Sequence, residues 1–137
     1  MAGSLSQYLK AKLLEHAFGA NTYTPPVTVY LALYTTAPTD AGGGVEVSGG
    51  SYARKAVTNN TTNFPATTGT STKTSTLNVA QTFTTASASW GTVVASAWMD
   101  ASSGGNQLSW SDATVPQTVD SGATVTVAGA AINVTMT

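Results

Sequence analysis

The chain has no cysteine, one histidine and few charges, and each shortage removes a class of function. Without cysteine there is no disulfide framework, no thiolate nucleophile and no Cys-ligated zinc, and the redox compartment stays open. Charged residues make up 8% of the chain, against roughly 25% in an ordinary soluble domain. Five bases and six acids give a net charge of −1, and only Arg54 and Lys55 adjoin. A nucleic-acid surface needs clustered Lys and Arg, so no nucleic-acid partner is expected. No apolar run approaches the roughly 18–20 residues of a membrane helix, and Lys10 and Lys12 interrupt the apolar residues near the N-terminus. Neither a membrane partner nor a signal peptide is therefore expected.

Threonine fills much of the space that charge leaves, at 25 of 137 residues, with Ser, Ala and Gly supplying most of the rest. Hydroxyls and methyls keep a face soluble yet cost less than charges to desolvate against another protein. That balance favours a subunit of an assembly over a free catalyst. The length suits one domain with a single core, taken as residues 1–137.

Residues 4–18 read as one amphipathic helix. Ser4 and Gln7 form a capping box, Leu5, Leu9, Leu13 and Ala17 recur at helical spacing, and Gly19 closes the segment. Tyr8, Leu14 and Phe18 flank that stripe, and a helix this short has to dock its apolar face on something. From residue 27 to 136 the period becomes two. Val27–Tyr34 sets Val27, Val29, Leu31 and Leu33 against Thr28, Tyr30, Ala32 and Tyr34. Further strands are expected at Tyr52–Val57, Thr76–Thr84, Trp90–Met99, Asn106–Ser111, Ala123–Val127 and Ala131–Met136. The expected fold is mainly β: an antiparallel sandwich of about seven strands carrying one N-terminal helix.

Trp90–Met99 is apolar on both sides, with Trp90, Val94 and Trp98 facing one way and Val93, Ala95, Ala97 and Met99 the other. Such a strand is covered twice, by the core and by either the helix or another subunit. Residues 59–75 are rich in Asn, Thr and Ser with Lys73 as the single charge, and read as an extended segment: an arm ordering on a neighbour, or a surface loop. The interface candidates are accordingly Tyr30, Tyr34, Asn59, Asn60, Asn63, Phe64, Lys73 and Trp98.

Reactive constellations are absent from the pattern. His16 lies near the helix end, where an imidazole suits the dipole, and no second base partners it. No serine sits in a Gly-x-Ser-x-Gly elbow. The carboxylates Asp40, Asp100 and Asp120 precede small turn residues, which is ordinary turn chemistry. Asp40 with Glu46 on one glycine-rich loop comes closest to a calcium site, without the EF-hand spacing. Gly42–Gly44 lack a following Gly-Lys-Ser/Thr, so no phosphate loop is present. No catalytic residue, metal or cofactor is expected.

The blocks SLSQYLKAKLLEHAFG, YTPPVTVYLALYTTAPTDAGGGVEVSGGSYARKAVTNN, SWGTVVASAWMDASSGGNQLSW and INVTMT span nearly the whole chain. In that order they resemble a family of short virion proteins of tailed phages, usually called tail-fibre or minor tail proteins. Residues 66–87 match least. The resemblance implies a non-enzymatic virion structural component. Joined to the low charge, the doubly apolar strand and the arm-like segment, it gives the expectation of a capsid decoration (cement) protein. The partners would be the major capsid protein and the chain itself, as a homotrimer on the capsid surface. A tail-fibre or baseplate component bound to other tail proteins is the alternative. A carbohydrate-binding module using Tyr30 or Trp110 is a third.

Overall fold

The computed structural model describes residues 2–136, with the backbone alone for Ala2. Among these are ten strands and one helix. The elements in order are β1 (Ala2–Leu5), α1 (Gln7–Ala17), β2 (Thr28–Thr36), β3 (Val45–Glu46), β4 (Lys55–Thr58) and β5 (Lys73–Thr76). They continue with β6 (Gln81–Thr82), β7 (Gly91–Met99), β8 (Gln107–Val119), β9 (Thr126–Val127) and β10 (Asn133–Met136). Eight strands form one sheet in the order β3-β2-β7-β8-β1-β10-β5, with β4 on the same edge of β2 as β3. Strands β6 and β9 form a separate ribbon. All pairings are antiparallel except β1 with β10.

The sandwich interior lies between the large sheet and the ribbon. Val29, Leu31 and Leu33 point into it from β2, Trp98 and Val93 from β7, Leu108 and Val119 from β8, and Phe83 and Val127 come from the ribbon side. Tyr52, Phe83 and Trp90 add edge-to-face contacts at ring separations of 5.3 Å and 6.4 Å, a geometry aromatic quadrupoles favour. On the other face of the sheet a second cluster of Ala32, Tyr34, Ala95, Ala97 and Met99 is also buried. The period-two reading of the first strand therefore holds on both faces. Ten strands replace the expected seven or so because residues 2–5 form a strand ahead of the helix, β3 is too short to show a period, and two separate strands, β5 and β6, occur where one was expected.

The N-terminus departs from expectation. Helix α1 starts at Gln7, not Ser4, and its N-cap is Ser6, whose Oγ accepts from the Leu9 amide at 3.1 Å. Residues 2–5 are a strand lying between β8 and β10. Pairing on two sides satisfies more backbone groups than one extra helical turn would, so the sheet overrides the local helix signal. Gly3 fits there because a Cβ would lie 2.8 Å from the Trp110 carbonyl oxygen. The helix ends as expected: Gly19 has φ +81°, and the Ala20 amide donates back to the Glu15 carbonyl at 2.9 Å, a Schellman closure.

Two further expectations are corrected. The expected strand 76–84 is not continuous: Thr76 ends β5, which begins at Lys73 inside the expected extended segment, residues 77–80 carry the chain from the sheet to the ribbon, and only Gln81–Thr82 form β6. In β7 the parity of two residues is exchanged: Val93 belongs to the sandwich core and Val94 to the second face. The cause is a bulge. From Gln117 to Asp112 strand β8 takes five steps while β7 takes two, from Val93 to Ala95, so Ala113–Pro116 bow outward. Pro116 is tolerated because the ladder is already interrupted there.

Trp98 is 5% exposed and sits at the centre of the core, so Trp98→Ala should lower unfolding free energy by about 3–5 kcal/mol in urea denaturation, whereas Val115→Ala on the exposed bulge should change it by less than about 0.5 kcal/mol.

Candidate functional site

The segment from Ala32 to Arg54 folds into one polar clasp. Glu46 on β3 and Arg54 just before β4 meet in a two-pronged ion pair, Nη2 to Oε2 and Nε to Oε1, both at 2.8 Å. The planar guanidinium matches a carboxylate in this way, and a lysine would not. The remaining nitrogen, Nη1, donates to the carbonyls of Ala101 at 2.7 Å and Gly104 at 2.8 Å. The Arg54 side chain is 7% exposed and that of Glu46 26%. Tyr52 completes the network: its hydroxyl donates to Glu46 Oε1 at 3.0 Å and accepts from the Leu33 amide at 2.9 Å. The Glu46 carboxylate raises the Arg54 pKa above its ordinary value, and burial pushes the Tyr52 phenol well above its own. Both groups hold one protonation state at any physiological pH. The clasp fixes loop 100–106 against β3. Asp100 orders that loop further by accepting from the Asn106 amide at 2.6 Å and side chain at 2.8 Å.

A second tie is built on Asp40. Its carboxylate accepts from Lys10 Nζ at 2.5 Å and from the Trp110 indole at 2.9 Å, and its carbonyl from the Gln7 amide at 2.8 Å. One residue thereby joins loop 37–44, the start of α1 and β8. The Lys10 ammonium first, and the Trp110 N–H second, hold the Asp40 carboxyl below the usual carboxylate range. Gly44, with φ +78°, lets this loop fold back; a Cβ there would lie 2.6 Å from the Thr36 carbonyl oxygen. Between the two ties lies a cavity of about 390 Å³, whose lining includes Tyr8, Tyr34, Met99, Asp40 and Gln107.

These contacts revise the sequence-based site. Asp40 and Glu46 do not form a cation site: each is neutralised by a different base of its own chain. No group of three or more His, Asp or Glu side chains among the described residues could hold a metal. Tyr34 and Trp98 are buried by their own chain, so neither presents a face to a partner. The Tyr34 hydroxyl contacts Met99 Sδ at 3.9 Å, and Trp98 takes Phe64 edge-on at 5.2 Å. Tyr30 remains half-buried beside the second cluster. Residues 59–75 are anchored to their own chain at both ends. Asn59 donates to the Val27 and Pro26 carbonyls, Asn63 to the Thr58 carbonyl, and Asn78 to the Asn63 and Thr62 carbonyls. The Lys73 ammonium donates to the Gly69 carbonyl at 2.7 Å, and β5 pairs with β10. Asn59, Asn60 and Lys73 stay exposed.

What the outer surface does offer is hydroxyl pairs and isolated apolar groups. Thr82 with Thr126 and Thr92 with Thr118 pair across strands, and Thr85 with Thr124 just beyond the ribbon, at 2.8–3.0 Å. A hydroxyl already satisfied by its neighbour loses little when a partner excludes water. Leu14, Phe18, Val27 and Val115 are each at least 60% exposed.

Two measurements probe the ties. Arg54→Ala should cost about 3 kcal/mol in urea unfolding, because it strands a half-buried carboxylate; the paired change Arg54→Met with Glu46→Leu should cost less, since no charge is left behind. Asp40 has a depressed folded-state pKa, so its stabilisation is fully present above its ordinary value of 3.8 and is lost as pH falls through the lower folded value. The gap in urea midpoint between the natural chain and Asp40→Asn should therefore be widest near neutral pH and close below pH 3.8.

The comparisons with known proteins bear on the whole chain. No curated protein matches the sequence. The family described as podophage GP4 fiber I protein gp80 matches residues 4–135, which takes in both ties, the helix and all the core strands. The chain belongs to this family of phage fibre proteins and is a structural component of a phage virion.

Proposed function

We propose that the protein is a non-enzymatic subunit of the tail-fibre apparatus, held to other tail proteins and to copies of itself through its hydroxyl-clad faces. The observation that carries this reading is the family match over residues 4–135, whose description is that of a fibre protein. The chemistry of the chain agrees with it. The polar groups Arg54, Glu46, Tyr52 and Asp40 are consumed in holding loops in place. Rigid loops and mutually satisfied threonines give a surface that docks with little entropy or desolvation cost. Affinity would come from several modest contacts made together, which raise avidity by roughly 10²–10⁴ over a single contact.

A second reading is capsid decoration, in which a homotrimer would sit over junctions of the major capsid lattice. The sandwich supports it, because a fibre shaft would show internal repeats and this chain shows none. The two readings differ in stoichiometry. Peptide mass spectrometry of purified virions, quantified against the major capsid protein, should find a few to a few dozen copies, with antibody label at the tail. Hundreds of copies in fixed ratio to the shell subunit would establish decoration instead. Absence from the particle would overturn both.

A further inference from the structure

The cavity of about 390 Å³ between the two ties is walled by groups that are held in place yet keep unused hydrogen-bonding capacity. Of its lining residues Tyr34 and Met99 are buried and Tyr8 is half-buried, which gives it an apolar, partly aromatic base. Gln107 Nε2 donates to the Thr39 carbonyl at 2.8 Å; a carbonyl can only accept, so the nitrogen and oxygen of this side chain are fixed. Asn106 is fixed in the same way, its Nδ2 donating to Asp100 Oδ2 at 2.8 Å. In both amides the nitrogen is used and the oxygen is left over. Among the described residues nothing donates to Gln107 Oε1 or Asn106 Oδ1, and neither the Tyr8 hydroxyl nor the Gln7 carboxamide has a partner. All four of these residues line the one cavity.

We infer that this cavity binds a single neutral sugar residue. The lining groups select for it by what they leave unpaired. No lysine or arginine lines the cavity, and an anion would meet the lone pairs of Gln107, Asn106 and Asp40. A cation gains little either, since Asp40 is the single carboxylate in the lining and Lys10 already neutralises it at 2.5 Å. A wholly apolar ligand would displace water from the free amide oxygens and replace none of their hydrogen bonds. A sugar ring meets each condition: its hydroxyls donate to the amide oxygens and accept from Gln7 and Tyr8, while its C–H face rests on the aromatic base. The volume lies near the low end of the roughly 300–1,000 Å³ of small-molecule sites, which suits one ring better than a length of chain. The site is also formed in advance. Asp40 is pinned by Lys10 and Trp110, and Arg54 holds the carbonyls of Ala101 and Gly104, so binding has little left to order. At Gly42 and Gly43, also in the lining, a Cβ would meet nothing within 4 Å, so that rim stands open. The inference goes beyond the fibre reading, since it concerns a ligand of the isolated chain wherever the virion holds it.

Amide-resolved NMR titration of the full chain tests it, with glucose, galactose, mannose, rhamnose and N-acetylglucosamine each added to about 50 mM. At least one should saturate with a dissociation constant on the order of 1 mM, and the shifts should gather at residues 6–8, 40–43 and 105–107. Ala41→Trp, at an exposed position in the lining, should plug the cavity and weaken binding by roughly tenfold or more. Tyr8→Phe removes only a hydroxyl and should weaken it by about threefold. Thr61→Trp, equally bulky but outside the lining, should leave affinity unchanged. Glucuronate and glycerol should each bind roughly tenfold more weakly than the best sugar, the first for its charge and the second for its missing ring. The methyl glycoside of that sugar separates two sources, both within the inference: retained binding assigns the end of a glycan, lost binding a free sugar. The inference is overturned by a titration in which no sugar saturates, or in which the shifts gather elsewhere. Affinity untouched by both Ala41→Trp and Tyr8→Phe overturns it too, as does glycerol or glucuronate binding as well as any sugar. Virion copy number is unaffected by any of these outcomes, so this inference can fail while the fibre reading stands.

Discussion

Strand β7 must be buried on both faces, and most of the molecule is arranged to meet that demand. Trp98 and Val93 need a core on one side; Ala95, Ala97 and Met99 need cover on the other. Its two neighbours in the sheet, β2 and β8, supply matching residues for each face. The ribbon of β6 and β9 then contributes Val127, and the residue following β6 contributes Phe83, to the first face. The second face is too thin for another sheet, since its residues are largely alanine. A loop is enough: Ala37 packs on it, Pro38 is fully buried, and Asp40 pins the loop through Trp110.

This division explains how so few charges suffice. Lys10 with Asp40 and Arg54 with Glu46 are both spent on fastening loops to the sheet, and Asp100 organises the hairpin between β7 and β8. Charges spent in this way do not solvate the exterior, and threonine takes over that task. The result is a domain whose loops are tied to its sheet and whose surface is rich in hydroxyls. A subunit has use for both: loops already held in place lose less entropy on docking, and paired hydroxyls cost less to desolvate than charges. Membership of a fibre-protein family fits a chain whose chemistry is directed to staying in shape and being contacted.

Even the apparent weakness of the fold has a place in this picture. Helix α1 is attached through the Ser6 cap, the Ser6 and Gln7 amides and the Lys10 bridge, with modest apolar burial. Its Leu14 and Phe18 remain outside. In an isolated monomer that arrangement leaves apolar area in water for no internal gain, at roughly 25 cal/mol for each Å² left exposed. Covering it is the most direct stabilisation still open to the chain.

The sequence by itself determined which residues are buried along β2 and which class the fold belongs to, because a two-residue period is a local property of the backbone. It determined the end of α1 as well, since Gly19 alone can take the left-handed turn cheaply. Only the tertiary structure decided that residues 2–5 leave the helix for the sheet, a choice made by strands more than a hundred positions away. The exchange of Val93 and Val94 came from a bulge in the partner strand, invisible in β7 itself. The two ties were hidden for the same reason. Asp40 and Glu46 share a loop and invited a common role, yet Lys10 and Trp110 claim one while Arg54 and Tyr52 claim the other. Trp98 and Tyr34 belonged to a plausible surface until neighbouring segments covered them. Local patterns fix conformation, but exposure and charge pairing depend on what the rest of the chain brings alongside.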